Sequence, residues 1–283
     1  MSRRRRNSGN NILMLLVLVL VVVFIALFYN SRSTDNPIGN VINDKGTTTT
    51  TTIPHPAKTI KIASWNMQRF GKEKADNGAL MDTYVNVLGN YDIVIIQELT
   101  DSTGEAFDKL CSMMKGYKCA SSDRLGNSSY KEQYGLLYRN AELLGSVKGS
   151  GAYVRVPYTF HFRSGNWSFY LTTIHTDPDN VKAELSLLDK QIGSDQSADR
   201  LIMGDLNAGC SYYKAPHSDF VSWDWVIPDS EDTTVKATYC AYDRIILNKE
   251  AVDNFISYGI YRNVTVTESD HYLINVELRT DAA

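Results

Sequence analysis

Residues 201–210 read LIMGDLNAGC, an apolar run that stops on an acid, an amide and a thiol. A short apolar run bounded by turn-forming residues predicts a buried strand. Asp205 and Asn207 are two positions apart, so an extended chain places them on the same side. The stretch therefore predicts a buried strand that ends in a pair of polar side chains.

The same kind of strand end recurs along the chain. Each position alone is most simply explained as a helix cap or a turn former. In open α/β sheets, however, ligand sites collect at the carboxyl ends of strands, and antiparallel strands begin at that same rim. Six strand ends of this kind therefore favour a functional site. They are the carboxyl ends at Asn66, Glu98, His175 and Asp205, and the strand starts at Asp243 and at SDH, residues 269–271.

From Thr59 onward the chain alternates strand-like and helix-like pieces. Short segments rich in β-branched and aromatic residues predict strands at 59–65, 91–97, 134–138, 167–174, 200–204, 242–247 and 272–278. Helical spacing predicts helices over 74–89, 103–114 and 179–193. This alternation predicts one α/β domain with mixed sheet over residues 58–283.

The first 57 residues are expected to lie outside that domain. Residues 1–11 contain four consecutive Arg, and residues 12–29 are uninterruptedly apolar, which is long enough to span a bilayer as a signal anchor. The excess of Arg before the span predicts a cytoplasmic N-terminus and an extracellular domain at the cell membrane. The rival interpretation is a cleaved signal peptide and a secreted protein. Residues 30–57, with six consecutive Thr, predict a stalk.

Charge and cysteine usage limit the function further. Residues 1–32 hold five of the 29 basic side chains and no acid, which leaves 24 basic and 32 acidic side chains in the rest. That part has no basic surface typical of tight nucleic-acid binding. Four cysteines without a C-x-x-C pair argue for disulfides rather than zinc. Three pairings are open, of which the short Cys111–Cys119 link would leave Cys210 with Cys240.

Several motifs carry a family resemblance. The segments SWNMQ, IIQEL, IHTDP, MGDLNAGCSY and SDHY occur together with the more specific SYKEQY and YCAYDRI. In the order in which they follow one another along the chain, these motifs resemble the endonuclease/exonuclease/phosphatase superfamily, and specifically its deoxyribonuclease I-like branch, from about Thr59 to Leu278. The resemblance implies a four-layered α/β sandwich, two packed mixed sheets flanked by helices, with the active site at their shared rim. It also matches Cys210–Cys240 to a family disulfide.

The resemblance assigns roles residue by residue. It implies two His–acid pairs, His271 with Asp243 and His175 with Glu132, together with Asp205 as catalytic residues. It implies contacts to the DNA substrate by Tyr130, Arg155 and Asn207. Oxygen ligands of this kind suit Mg²⁺ or Mn²⁺. The expected metal-binding residues are Asn66, Glu98, Asp205, Asn207 and Asp270.

The chain also departs from the family pattern. Thr100 and Asn127 stand where the family has arginines that contact DNA. Contacts to the minor groove are therefore expected to be weaker or to be made by other residues. Ca²⁺ is a further ion that the resemblance implies. The loop that would bind it keeps Asp232, Thr234 and Thr238, but Lys236 stands where a ligand is expected, so high-affinity Ca²⁺ binding is not expected.

The sequence thus predicts a membrane-tethered, metal-dependent endonuclease with a monomeric catalytic domain and no obligate protein partner. It is expected to cut DNA with little sequence preference, leaving 5′-phosphate and 3′-hydroxyl ends. Alternatives within the superfamily are sphingomyelinases, apurinic-site endonucleases and inositol polyphosphate phosphatases. Outside enzymes, an inactive extracellular binding module is the alternative, although every expected catalytic residue is present.

Overall fold

The computed structural model describes residues 59–281. The predicted membrane anchor at 12–29 and the predicted stalk at 30–57 lie outside these residues and stay predictions. In the described part of the chain, no helix has the length and apolar character that a membrane crossing requires.

The secondary structure consists of short helices between the strands of two sheets. In chain order the described elements are β1 (Thr59–Phe70), α1 (Lys72–Asp76), α2 (Gly78–Leu88), β2 (Ile93–Leu99), α3 (Glu105–Met113), β3 (Lys118–Ser121), β4 (Gln133–Tyr138), β5 (Glu142–Lys148), β6 (Tyr158–Ser164), β7 (Trp167–Thr173), α4 (Val181–Leu188), β8 (Asp199–Asp205), β9 (Asp224–Trp225), β10 (Asp243–Leu247), α5 (Lys249–Val252), β11 (Phe255–Tyr261) and β12 (Leu273–Arg279). A π-helical turn, Asp189–Gly193, extends α4.

Each sheet has six strands and one parallel pair near its centre. The first sheet has the order β11-β12-β1-β2-β4-β3, and the second has the order β5-β6-β7-β8-β10-β9. β1 is parallel to β2 and β7 is parallel to β8, whereas their other neighbours are antiparallel. Each sheet thus contains both parallel and antiparallel pairs, which confirms the prediction of two mixed sheets.

Three apolar clusters hold the layers together. The largest joins the inner faces of both sheets and includes Ile62, Phe162 and Leu171. A second places helices α2 and α3 on the outer face of the first sheet, where Trp65 meets Tyr84 edge-on at 5.5 Å between ring centroids. A third joins α4 to the outer face of the second sheet. Burial on both faces explains why the central strands read as nearly continuous apolar runs.

The seven predicted strands are all present, but one predicted helix differs. The segment 74–89 is broken at Asn77, whose backbone is extended and whose side chain accepts a hydrogen bond from Leu80 N. Asn77 therefore ends α1 and caps α2, as an asparagine at a helix start commonly does.

Both disulfides are formed. Cys111 is bonded to Cys119 and Cys210 to Cys240, with Cα separations of 6.1 and 5.8 Å. The first fastens α3 to the edge strand β3, and the second fastens the segment after β8 to the segment before β10. The second disulfide thus braces two chain segments that flank Asp205 and Asp243.

Candidate active site

The predicted strand ends meet at one rim. Because β1 and β2 are parallel, and β7 and β8 are parallel, their carboxyl ends bring Asn66, Glu98, His175 and Asp205 to the same edge of the sandwich. Asp243 lies directly opposite Asp205 in the antiparallel β8–β10 pair. His271 reaches the rim just before β12, where its carbonyl accepts a 2.8 Å hydrogen bond from the Trp65 indole. The structure therefore brings these side chains together at one rim, although β1 continues beyond Asn66 to Phe70.

Irregular backbone aims two of these side chains. The pairing of β1 with β2 shifts register between Asn66 and Phe70, and that of β2 with β4 shifts between Ile96 and Leu99. Glu98 has a left-handed φ of 62°, an uncommon conformation for a residue with a side chain. Its carboxylate accepts a 2.8 Å hydrogen bond from Arg69 N. Such bulges re-aim side chains beside active sites.

The first acid–histidine pair is deeply buried. His175 Nδ1 lies 2.7 Å from Glu132 Oε1, and both residues are buried. Arg155 Nε lies 2.9 Å from the same carboxylate oxygen, and the guanidinium also donates to the carbonyls of His175 and Thr176. The Arg155 side chain is only 12% exposed. Arg155, expected to bind substrate, thus lies against Glu132 and holds this pair in place.

The second pair faces the first across Asp205. His271 Nδ1 lies 2.8 Å from Asp243 Oδ2. Asp205 Oδ2 lies 3.4 Å from His175 Nε2 and 3.5 Å from His271 Nε2. Each imidazole is therefore fixed through Nδ1 by its own acid, while both Nε2 atoms point towards one shared carboxylate. Carboxylates in this position set the tautomer of a histidine and raise its basicity.

The acids control the protonation of the two histidines. Burial lowers the pKa of His271, but Asp243 and Asp205 outweigh burial and raise it to about 10. Burial likewise opposes the charged form of His175, whereas Glu132 and Asp205 raise its pKa overall. Burial alone would raise the pKa of Asp205, but His271 and His175 hold it below its usual value. The site without a metal therefore favours imidazolium next to the Asp205 carboxylate, whereas burial raises the pKa of Asp243 although His271 opposes this rise.

These shifts predict how stability depends on pH. The pKa of His271 is about 10 in the folded protein against an ordinary 6.5, so its ion pairs stabilise the fold fully below pH 6.5. This contribution is lost as the pH rises through about 10. In EDTA, the free energy of unfolding of wild type should therefore exceed that of His271→Gln by more at about pH 6 than at about pH 10. Urea denaturation at both pH values measures this, and a difference that is constant or grows with pH would contradict it.

The oxygen-rich side of the rim fits a hard divalent cation. The Asn66 amide donates to Glu98 Oε1 at 2.9 Å and to Asp205 Oδ2 at 3.0 Å, so it joins two acids from different sheets. Ligand atoms of Glu98, Glu132 and His175 also lie within 4.8 Å of one another. Glu132 Oε2 is buried and has no hydrogen-bond partner among the described residues. Carboxylate oxygens without a thiolate suit Mg²⁺ or Mn²⁺. The Asn66 amide oxygen itself accepts a 2.9 Å hydrogen bond from Gln68 N.

The other two expected metal ligands lie at the edges of this group. The Asn207 amide donates to the Thr176 carbonyl at 3.0 Å, and Asn207 N donates to Asp205 Oδ1 at 3.1 Å. Asp270 Oδ2 lies 2.6 Å from Lys236 Nζ. Asn207 is therefore tied to Asp205, while Asp270 already has a cationic neighbour.

Tyr130 forms an exposed edge of the site. Its side chain is 43% exposed, and the Arg69 guanidinium carbon lies 5.7 Å from its ring centroid. Burial of part of the ring raises the pKa of Tyr130 to about 12, so its hydroxyl stays a hydrogen-bond donor well above neutral pH. An aromatic ring beside a guanidinium suits contact with a nucleic-acid strand.

Two contributors to the site have little signal in the sequence. Arg244 follows Asp243 in the quoted YDRI segment, but nothing in the spacing indicates that its guanidinium is buried beneath the loop after β8, where it binds the Ala208 and Ile227 carbonyls. Lys236 stands out in the sequence only as the loss of a calcium ligand. Its pairing with Asp270 joins residues 34 positions apart, which only the tertiary fold reveals.

Comparison with known proteins defines the class to which this fold and site belong. The model of the Endonuclease/Exonuclease/phosphatase family matches residues 63–271, and the chain belongs to that family. Pig Deoxyribonuclease-1 is 32% identical over a match that covers 79% of this chain and 93% of the relative. Mouse Deoxyribonuclease-1 is 33% identical with the same coverage. These relatives confirm the expected deoxyribonuclease I-like branch and, with it, the expectation of a hydrolase.

Solved structures show the same fold at lower identity. D. rerio TDP2 complexed with single strand DNA product has a TM-score of 0.61 at 17% identity, over 78% of this chain and 99% of that one. A Bacteroides thetaiotaomicron mannosyl-6-phosphatase has a TM-score of 0.56 at 16% identity, over 77% and 99%. The sandwich therefore recurs in a protein that is complexed with a single strand DNA product and in one that is named a mannosyl-6-phosphatase.

Proposed function

We propose that the protein is a divalent-metal-dependent endonuclease that hydrolyses DNA phosphodiester bonds. The observation that carries this proposal is the placement of two acid-bound histidines on either side of Asp205, with Nε2 distances of 3.4 and 3.5 Å. The Deoxyribonuclease-1 relatives support DNA as the substrate. The family alone does not choose DNA, because its fold also carries other phosphoester chemistry.

Phosphodiester hydrolysis requires groups that move protons at both ends of the broken bond. A base must take a proton from the attacking water, and the departing 3′ oxygen must receive one. His175, oriented by Glu132, serves as the acid. His271, oriented by Asp243, serves as the base in its neutral form, which a divalent cation at Asp205 would favour by offsetting the carboxylate charge that raises the His271 pKa. Attack on phosphorus with departure of the 3′ oxygen leaves a 5′-phosphate and a 3′-hydroxyl.

Asn66, Glu98 and Asp205 would hold the divalent cation, with Asn207 and Asp270 at the edges of its site. A bound Mg²⁺ or Mn²⁺ supplies positive charge to the phosphoryl oxygens as the transition state forms. The residues of the chain orient the histidines and exclude water from the buried carboxylates. Since the site is rich in carboxylates, substrate is expected to bind weakly and in a salt-sensitive way.

Little sequence preference follows from the kind of contact that the rim offers. Tyr130 and Asn207 suit contacts to the sugar–phosphate backbone, and such contacts position a protein on DNA without reading bases. Thr100 replaces an arginine that the family resemblance places in the minor groove. Groove contacts in this chain are therefore proposed to be sparse.

The proposed location is the outer side of the cell membrane, with residues 12–29 as the anchor and residues 30–57 as the stalk. Two disulfides support an oxidising compartment for the catalytic domain. Secretion is the outcome if the N-terminal segment is cleaved. The catalytic domain is proposed to act as a monomer.

Plasmid cleavage tests the proposal. Full-length protein in detergent is expected to convert supercoiled plasmid to nicked and then linear forms in Mg²⁺, and to leave it supercoiled in EDTA. DNA ligase should reseal the nicks, because it requires a 5′-phosphate and a 3′-hydroxyl. Folded protein that leaves plasmid intact in both Mg²⁺ and Mn²⁺ would reject undamaged DNA as substrate. In that case a sphingomyelin or abasic-DNA assay identifies another phosphodiesterase, and inactivity on both favours a binding module.

A further inference from the structure

The segment that carries Lys236 is fixed against the catalytic segment. Val235 N donates to the Asp270 carbonyl at 2.8 Å, and Tyr272 N donates to the Thr233 carbonyl at 2.8 Å. Thr234 and His271 form an isolated antiparallel bridge between these hydrogen bonds. The backbone at Lys236 is therefore held beside His271 by main-chain contacts.

The Lys236 ammonium lies at the exposed side of the site. Its Nζ is 2.6 Å from Asp270 Oδ2, and the side chains of Lys236 and Asp270 are 57% and 19% exposed. Asp270 Oδ1 lies 3.9 Å from His271 Nε2. An ammonium has three N–H groups, so Lys236 can bind Asp270 and still donate to another oxygen.

Two other basic residues near the rim, Arg155 and Lys74, are engaged by the fold itself. Arg155 is 12% exposed and lies 2.9 Å from Glu132. Lys74 donates to the carbonyls of Met67 and Glu268, each at 2.8 Å. Lys236, by contrast, makes an exposed ion pair of a kind that contributes little to stability. Its charge therefore remains available to a substrate that approaches the rim.

We propose that Lys236 is a further substrate-binding residue whose ammonium binds a DNA phosphate beside the bond that is cleaved. This inference rests on the proposed function and names one contact of the same site. Lys236 supplies a tethered positive charge next to Asp270, where the carboxylates of the site would otherwise repel the phosphate backbone. Its contact is to the backbone and adds no sequence preference.

DNA binding without cleavage tests this contact. Full-length His271→Ala protein in detergent is titrated in Mg²⁺ against a fluorescent DNA duplex at several salt concentrations. The slope of log K against log salt is negative, and loss of one phosphate contact makes it shallower by about 0.9. Lys236→Gln in the His271→Ala background is therefore expected to weaken binding several-fold at low salt and to reduce the magnitude of the slope by about that amount.

Two further variants separate charge from structure. Lys236→Arg keeps the charge and is expected to retain the slope of the parent. Lys61→Gln is the matched control, because Lys61 pairs with Glu277 at 3.9 Å with exposures of 49% and 29%, at the end of β1 remote from Asn66. It should change neither affinity nor slope.

The outcomes distinguish this contact from the proposed function. If wild type nicks plasmid but Lys236→Gln leaves affinity and slope unchanged, the contact is wrong while the endonuclease assignment stands. If Lys61→Gln reduces the magnitude of the slope as much as Lys236→Gln, the effect is general charge and the contact is also rejected. If the parent binds no duplex and wild type nicks no plasmid, both proposals fail.

Discussion

Asp205→Asn is expected to lower the rate of plasmid nicking by about 10⁴-fold or more. Asp205 Oδ2 faces the Nε2 atoms of His175 and His271 at 3.4 and 3.5 Å and accepts a hydrogen bond from Asn66. Asparagine keeps the shape but removes the charge. The change therefore weakens cation binding and removes the negative charge that faces both imidazoles. Initial rates of plasmid nicking, followed on gels, measure the loss.

Asp199→Asn is the matched control for this effect. Asp199 lies at the other end of β8, where its carboxylate accepts a 3.0 Å hydrogen bond from Asn254. The control should nick plasmid at close to the wild-type rate. Circular dichroism establishes that both variants fold. A folded Asp205→Asn protein with more than about a hundredth of wild-type activity would exclude a central role for this carboxylate.

The location of the site could be predicted because it depends on strand polarity. Apolar runs in the sequence identify the central strands, and a polar residue marks the point at which each run ends or begins. Asp243 and Asp205, distant in the sequence, lie opposite each other in the structure because β8 and β10 pair antiparallel. Once the strands are placed, the rim follows from the topology of an α/β sheet.

Other features of the fold have no comparable signal. The edge strand β5 is largely exposed and shows no alternation of apolar and polar residues. β3 has only four residues, three of them exposed. Such strands are defined by pairing with a neighbour rather than by burying a face, so local periodicity does not predict them.

Fine geometry at the site was equally inaccessible from the sequence. The bulges that aim Asn66 and Glu98 result from register shifts between strands distant in the chain. Gly204 shows a related constraint, because a Cβ there would lie 2.3 Å from the Ile174 carbonyl. This close approach keeps His175 next to Asp205. The family motif contains the glycine, but only the packed structure explains it.

Arg244→Met is expected to lower the free energy of unfolding by about 3 kcal/mol. Arg244 is fully buried and donates to the Ala208 carbonyl at 2.9 Å and to the Ile227 carbonyl at 2.7 Å, and it pairs with Asp229. Methionine fills much of the volume but leaves these oxygens without donors. The carbonyl of Ala208 belongs to the loop that carries Asn207, so activity should also fall. Urea denaturation measures the stability.

Arg163→Met is the control variant, because it removes an arginine from an exposed ion pair instead of a buried one. Arg163 pairs with Glu142, and their side chains are 52% and 58% exposed. An exposed pair of this kind contributes about 0–1 kcal/mol, because water solvates both charges when the pair is broken. Similar losses for the two variants would show that the Arg244 contacts contribute no more than a surface pair. A much larger loss for Arg244→Met would show that a buried arginine supports the loop between β8 and β10 on which the site is built.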